Sequence, residues 1–169
     1  QRDRRLRLRH ELLGLRTIQH GCTHSYGHSM TLDTIRSDFA LLDDWEDRYR
    51  YVIELGRAMP PLPEARKTGA TKVAGCASQV WLVPDMRRND AGQDCLHFDG
   101  DSDAMIVRGL IAVLHALYSG RPLGDITSID AQAELGRLGL EQHLSSQRSN
   151  GLKAMGRRLS DLAQAANPA

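Results

Sequence analysis

Apolar positions along the chain follow a helical period at both ends and a strand period between them. Leu32, Ile35, Phe39 and Leu42 fall on one face of a helix that Thr31 is suited to cap. Asp43 followed by Glu46 resembles a capping box. It precedes a second helix, from Asp44 to about Met59, whose apolar side is Trp45, Tyr49, Val52, Ile53 and Leu55. The run Met59-Pro60-Pro61-Leu62-Pro63 ends it, because proline lacks the donor and restricts the residue before it. A linker from Glu64 to Gly75 follows.

The period then changes. Ser78 to about Arg87 and Gln93 to about Gly100 read as two strands joined by the turn Asn89-Asp90-Ala91-Gly92. Val80 to Val83 is apolar on both faces, so one face should lie under helices and the other be partly covered. Pro84 cannot donate to a ladder and implies an edge or a bulge. Gly100-Asp101-Ser102-Asp103 reads as a turn into a largely buried helix, Ala104 to Ser119, which Gly120-Arg121-Pro122 stops. Short helices are expected at Pro122–Ile126 and Ala131–Leu138, and a last amphipathic one from about Ser149 to Ala165. The fold class is α+β, a small antiparallel sheet with helices packed against it.

Composition narrows the class without changing it. The 169 residues are 41% apolar and 25% charged, enough for one stable core plus a tail. Residues 1–30 hold six arginines against two acids, a balance of +4; the remainder carries −3. The body is therefore mildly acidic, which argues against nucleic acid as a partner. The arginine-rich start is poor in serine and rich in histidine, so a disordered extension, or translation upstream of a start at Met30, fits better than a transit peptide. No apolar run approaches the ~18 residues of a membrane span, so no membrane association is expected. Cys22, Cys76 and Cys95 have no C-x-x-C spacing, which fits a reducing, cytoplasmic setting.

The candidate chemistry centres on Gly75-Cys76-Ala77-Ser78-Gln79-Val80-Trp81, a cysteine where a loop enters a strand behind a glycine suited to positive φ. A cysteine there is either buried filler or a presented nucleophile, and its polar neighbours argue against filler. Cys95 and His97 share a strand face and, with Cys76, would be the ligands of a zinc or iron–sulfur scaffold, but a further ligand pair is missing. His115 reads as a core histidine and His143 as a surface or capping residue. Asp101 and Asp103 are better read as helix caps than as acids or bases. No G-x-S-x-G, P-loop or G-x-G-x-x-G occurs, and no protease signature surrounds Cys76.

Four blocks resemble the SufE family of sulfur acceptors, which includes the CsdE-like proteins. They are Trp45–Tyr49 with Ile53–Gly56, then Val73–Trp81, then Gly100–Leu110, and finally Gln142–Ser145 leading to Arg148–Leu152. They occur in family order over about 130 residues, with Arg108 standing where lysine is expected, and Cys95 and the N-terminal segment additional. The resemblance implies a fold like the IscU/NifU scaffolds, a SufE-like domain over residues 31–166, and no bound cofactor. It implies that Cys76 takes sulfur from a persulfide on a cysteine desulfurase of the SufS or CsdA type. That partner carries pyridoxal phosphate; Cys76 then passes the sulfur to the Suf scaffold for iron–sulfur cluster assembly. Gly75, Ser78, Gln79, Trp81, Asp101, Asp103 and Arg148 become supporting or partner-contact candidates. Lys67, Lys72 or Arg148 would favour the thiolate, and Val73 and Trp81 would wall a shelter for the persulfide. A metal-binding scaffold and a purely structural interaction module are the alternatives.

Overall fold

The computed structural model describes residues 30–167, and the expected N-terminal extension lies outside them. Helix α1 (Leu32–Ala40) starts at Thr31, whose hydroxyl accepts the Thr34 amide at 3.1 Å. Helix α2 (Trp45–Ala58) starts one residue later than the capping box suggested: Asp44, not Asp43, accepts the Asp47 amide at 2.8 Å. Strands β1 (Val80–Arg88) and β2 (Asp94–Ser102) form an antiparallel hairpin in the register Val80 to Ser102 and Arg88 to Asp94. Helix α3 (Met105–Tyr118) follows, then a two-residue strand β3 (Arg121–Pro122) on the far side of β2. Helices α4 (Leu123–Ile126), α5 (Ala131–Arg137) and α6 (Ser146–Ala166) complete the chain. The architecture is the expected α+β, a small antiparallel sheet with helices against it.

The strand alternation sets which face the helices cover. Val80, Leu82, Leu96 and Phe98 are buried, whereas Trp81, Val83 and Asp85 are half-buried on the other face. At Gly100 an added Cβ would lie 2.6 Å from Ile111 Cγ2, so α3 presses directly on the hairpin. Helices α2 and α3 cross as closely: a Cβ on Gly109 would stand 2.0 Å from the Val52 carbonyl oxygen. β1 is an edge strand, as Pro84 implied. The Leu82 amide points outward, to the Thr71 carbonyl at 2.8 Å, so the even-numbered Pro84 places its missing N–H on the same open side.

Three sequence expectations are corrected. Gly100, Asp101 and Ser102 are not a turn but the end of β2, because each pairs with β1 opposite Leu82, Trp81 and Val80. The first residue before α3 is Ala104, with no side-chain cap, so neither Asp101 nor Asp103 is a helix cap. Helix α6 begins at Ser146 rather than Ser149, since the Ser145 hydroxyl accepts the Arg148 amide at 3.4 Å. Among the described residues, no helix is long and apolar enough to cross a membrane.

Candidate functional site

Gly75 turns the chain with φ +84°, a conformation that costs other residues and that glycine adopts freely. This turn delivers Cys76 onto α6. Its Sγ lies 3.6 Å from the Gly151 carbonyl oxygen, to which the thiol donates, and its side chain is half-buried against the edge of the core. Gly151 is buried, and an added Cβ there would stand 3.4 Å from Cys76 Sγ. The same helix meets the preceding loop twice more. Gly75 sits over Ala154, and Arg158 Nη2 donates to the Ala70 carbonyl at 3.1 Å.

Burial pushes the Cys76 thiol above its ordinary value, and among the described residues no neighbouring charge offsets it. The cations expected to favour the thiolate do not do so in this conformation. Lys67 is held by Glu64 at 2.6 Å and Asp101 at 3.3 Å, and its ammonium lies 5.3 Å over the Trp81 ring. Arg148 is exposed in the first turn of α6, three residues before Gly151 and hence on the same side of the helix. Trp81 points to the sheet face opposite Val80 and Leu82, so the wall against the thiol is α6 at Gly151. The thiol is thus stored in its protonated, weakly nucleophilic form.

The two aspartates anchor the segments on either side of the loop. Asp101 is 2% exposed. It accepts the Leu62 amide at 3.0 Å and the Ser102 amide at 2.8 Å, and pairs with Lys67 and with Arg108 at 3.2 Å. Burial alone would raise its pKa, but the two amides and the Arg108 and Lys67 charges hold it below the usual carboxylate range. Arg108 spends its remaining donors on the Gly56 and Met59 carbonyls, at 3.2 and 2.6 Å. A lysine has no such fork, so arginine at this position ties the end of α2, the proline segment and β2 together. Asp103 is exposed and accepts the Gln79 amide at 2.9 Å, which pins the exit of the Cys76 loop. Ser78 is half-buried and Gln79 exposed beside it.

The other candidates do not join this site. Cys95 is buried near the start of β2, its thiol 3.6 Å from the Gln93 carbonyl. His97 Nδ1 is 3.4 Å from the Ser119 hydroxyl, and burial lowers its pKa, with Arg87 acting the same way. Half-buried His115 packs on Phe98 at 5.3 Å, and exposed His143 stacks on Trp45 at 4.2 Å. Among the described residues, no group of three histidine, cysteine or acidic side chains is placed to hold a metal. Sequence reasoning missed Gly151, Ala154 and Arg158 as neighbours of the loop, although a glycine inside a helix pattern is itself a signal, since it costs ~1 kcal/mol against alanine.

Comparison with known proteins gives the family and the fold. The family described as "SufE: Fe-S metabolism associated domain" matches residues 33–163. An uncharacterized SufE-like protein of Rhizobium meliloti is 54% identical over 139 residues, covering 82% of this chain and 99% of the relative. The sulfur acceptor protein CsdE of Escherichia coli is 40% identical over 132 residues, covering 78% of this chain and 87% of its own. The solution structure of a hypothetical protein from Thermus thermophilus superposes with a TM-score of 0.61 at 20% identity, over 80% of this chain and 94% of that one, and so shares the fold. The chain belongs to the SufE family.

Proposed function

We propose that this protein is a sulfur acceptor and carrier in iron–sulfur metabolism, with Cys76 as the residue that holds the sulfur. The observation that carries the reading is a single thiol on a glycine-hinged loop, half-buried and held by one weak sulfur contact to α6. The name of the Escherichia coli relative supports the same role. The donor is the persulfide of a pyridoxal-phosphate cysteine desulfurase. The Cys76 thiolate attacks the outer sulfur of that persulfide; a new S–S bond forms on Cys76, the donor's S–S bond breaks, and the donor cysteine leaves as its thiolate. No electrons are gained or lost overall. The protein itself does not cleave cysteine, and it hands the sulfur on to the Suf scaffold.

Thiolate attack requires loss of the proton that the buried site retains, so docking on the partner must lift the loop from α6 or bring a base to it. Incubation with a desulfurase and free cysteine should add the mass of one sulfur atom to the intact protein, reversibly with a reductant. Mapping should place that sulfur on Cys76, and Cys76→Ser should gain none. Sulfur mapped to Cys95, or gained by Cys76→Ser, would sink the reading.

A further inference from the structure

The 21-residue helix α6 contains glycines in its interior, where each weakens the helix relative to alanine. Gly151 is one of these, and it lies directly under the Cys76 side chain, 3.4 Å from Sγ and 3.7 Å from both Cα and Cβ when measured from the position a Cβ would occupy. One turn further on, the Ala154 methyl lies 3.6 Å from where a side chain on Gly75 would begin. A turn beyond that, Arg158 bonds the Ala70 carbonyl. These three positions follow one another along a single side of the helix, and the segment from Ala70 to Cys76 lies along them.

We infer that Gly151 and Ala154 are positioning residues that form the seat of the Cys76 loop, with Gly151 limiting the size of the side chain the seat accepts. The inference rests on the carrier reading for its purpose but not for its test. At Gly151 a methyl would make ordinary contact with the thiol, so alanine fits the closed loop. Anything longer occupies the volume of Cys76 itself and forces the loop off the helix. Ala154 is half-buried and its methyl faces Gly75, so a larger side chain there extends toward the turn of the loop. The seat holds the thiol where burial keeps its proton, and among the described residues no charge on the loop (Lys72) or on α6 (Arg148, Lys153, Arg157 and Arg158) offsets that burial. Closing the loop on this seat therefore suppresses the nucleophile, and freeing it restores an ordinary cysteine.

The test is the rate at which iodoacetamide alkylates Cys76 in the full chain, located by mass spectrometry and followed against pH. Gly151→Ala should match wild type in both rate and pH midpoint. Gly151→Leu and Ala154→Leu should alkylate several-fold faster near neutrality, with the midpoint falling to the ordinary thiol value of ~8.5. Leucine is a better helix former than glycine and ranks just below alanine, so neither change weakens α6 appreciably by propensity. If Gly151→Leu fails to fold, Ala154→Leu decides. Folded leucine variants with wild-type rate and midpoint would overturn the seat, and so would a Gly151→Ala protein that opens like the leucine ones. A wild-type protein that accepts no sulfur, while this pattern holds, would remove the carrier reading and leave the seat standing.

Discussion

Cys76 and Cys95 place the same side chain in two regions built on opposite terms. Around Cys95 the chain is fixed on both sides: the residue pairs with Arg87 in β1 and Pro122 in β3, and is 1% exposed. Around Cys76 the backbone is tied to β1 only at the margin of the loop, where the Val73 amide meets the Val80 carbonyl at 2.9 Å. The cysteine itself has a glycine turn before it and a 3.6 Å contact to a helix carbonyl. The strong polar interactions stop at the margins of the loop, at Asp101 beneath one side and Asp103 at its exit. On the proposed carrier role, the sulfur-holding thiol belongs in the second region, where leaving costs little. The body supplies the rigid base against which such a movement is possible.

The largest expected effect in the body comes from breaking the Asp101 network. Asp101→Ala leaves half-buried Arg108 without its carboxylate and the buried Leu62 and Ser102 amides without their acceptor, and should lower stability by about 3–5 kcal/mol in denaturant unfolding. A loss below about 1 kcal/mol would mean that the ion pair is not what holds β2 to the proline segment. By contrast, Cys76→Ser should shift the unfolding midpoint little while abolishing sulfur acceptance. Finding the reverse ordering, with the loop substitution unfolding the protein and the core substitution tolerated, would invert the comparison.

The two regions also carry opposite pH signatures. Asp101 has a folded pKa below its unfolded value, so its contribution is complete above the ordinary carboxylate pKa of ~3.9 and is lost as pH falls through the lower folded value. The stability gap between wild type and Asp101→Asn should accordingly narrow under acid, and a gap constant from neutrality into that range would contradict the assignment. Cys76 has a folded pKa above its unfolded value. Its seated thiol stabilises the closed loop fully below ~8.5, and that contribution is lost as pH rises through the folded value. Hydrogen exchange in the Ala70–Gln79 segment should quicken over this alkaline window more in wild type than in Cys76→Ser; equal profiles would show that the thiol's ionisation does not govern the loop.

How far the sequence revealed this arrangement depends on whether the signal was local. Thr31, the change from helical to strand period, Pro84 on an edge and the positive φ of Gly75 are local features, and each was legible. Asp101 and Asp103 misled because an acid before an apolar helix has the same spacing whether it caps that helix or reaches a distant amide. Asp101 instead finds Leu62, 39 residues away, and Asp103 finds Gln79, 24 residues away. The position of Cys76 against Gly151 was equally hidden, as 75 residues separate them. The sequence therefore exposed the residue that presents the thiol and concealed the surface that stores it. It also suggested cations beside the thiol, because Lys67 and Lys72 are near in sequence; the fold spends Lys67 on Glu64, Asp101 and Trp81 instead.

The smallest expected effect completes the contrast between the cysteines. Cys95 Sγ donates weakly to the Gln93 carbonyl, and a serine hydroxyl at the same place has the same acceptor within reach. Cys95→Ser therefore keeps its partner rather than burying an orphaned donor, and the stability cost should stay near ~1 kcal/mol instead of the larger penalty of an unsatisfied hydroxyl. Sulfur acceptance should be unchanged, because Cys95 lies inside the sheet and away from α6 at Gly151. Intact-mass measurement after incubation with desulfurase and cysteine reads this directly. A folded Cys95→Ser protein that no longer gains the sulfur would make the sheet cysteine part of the chemistry, and the division between a rigid base and a detachable loop would then fail.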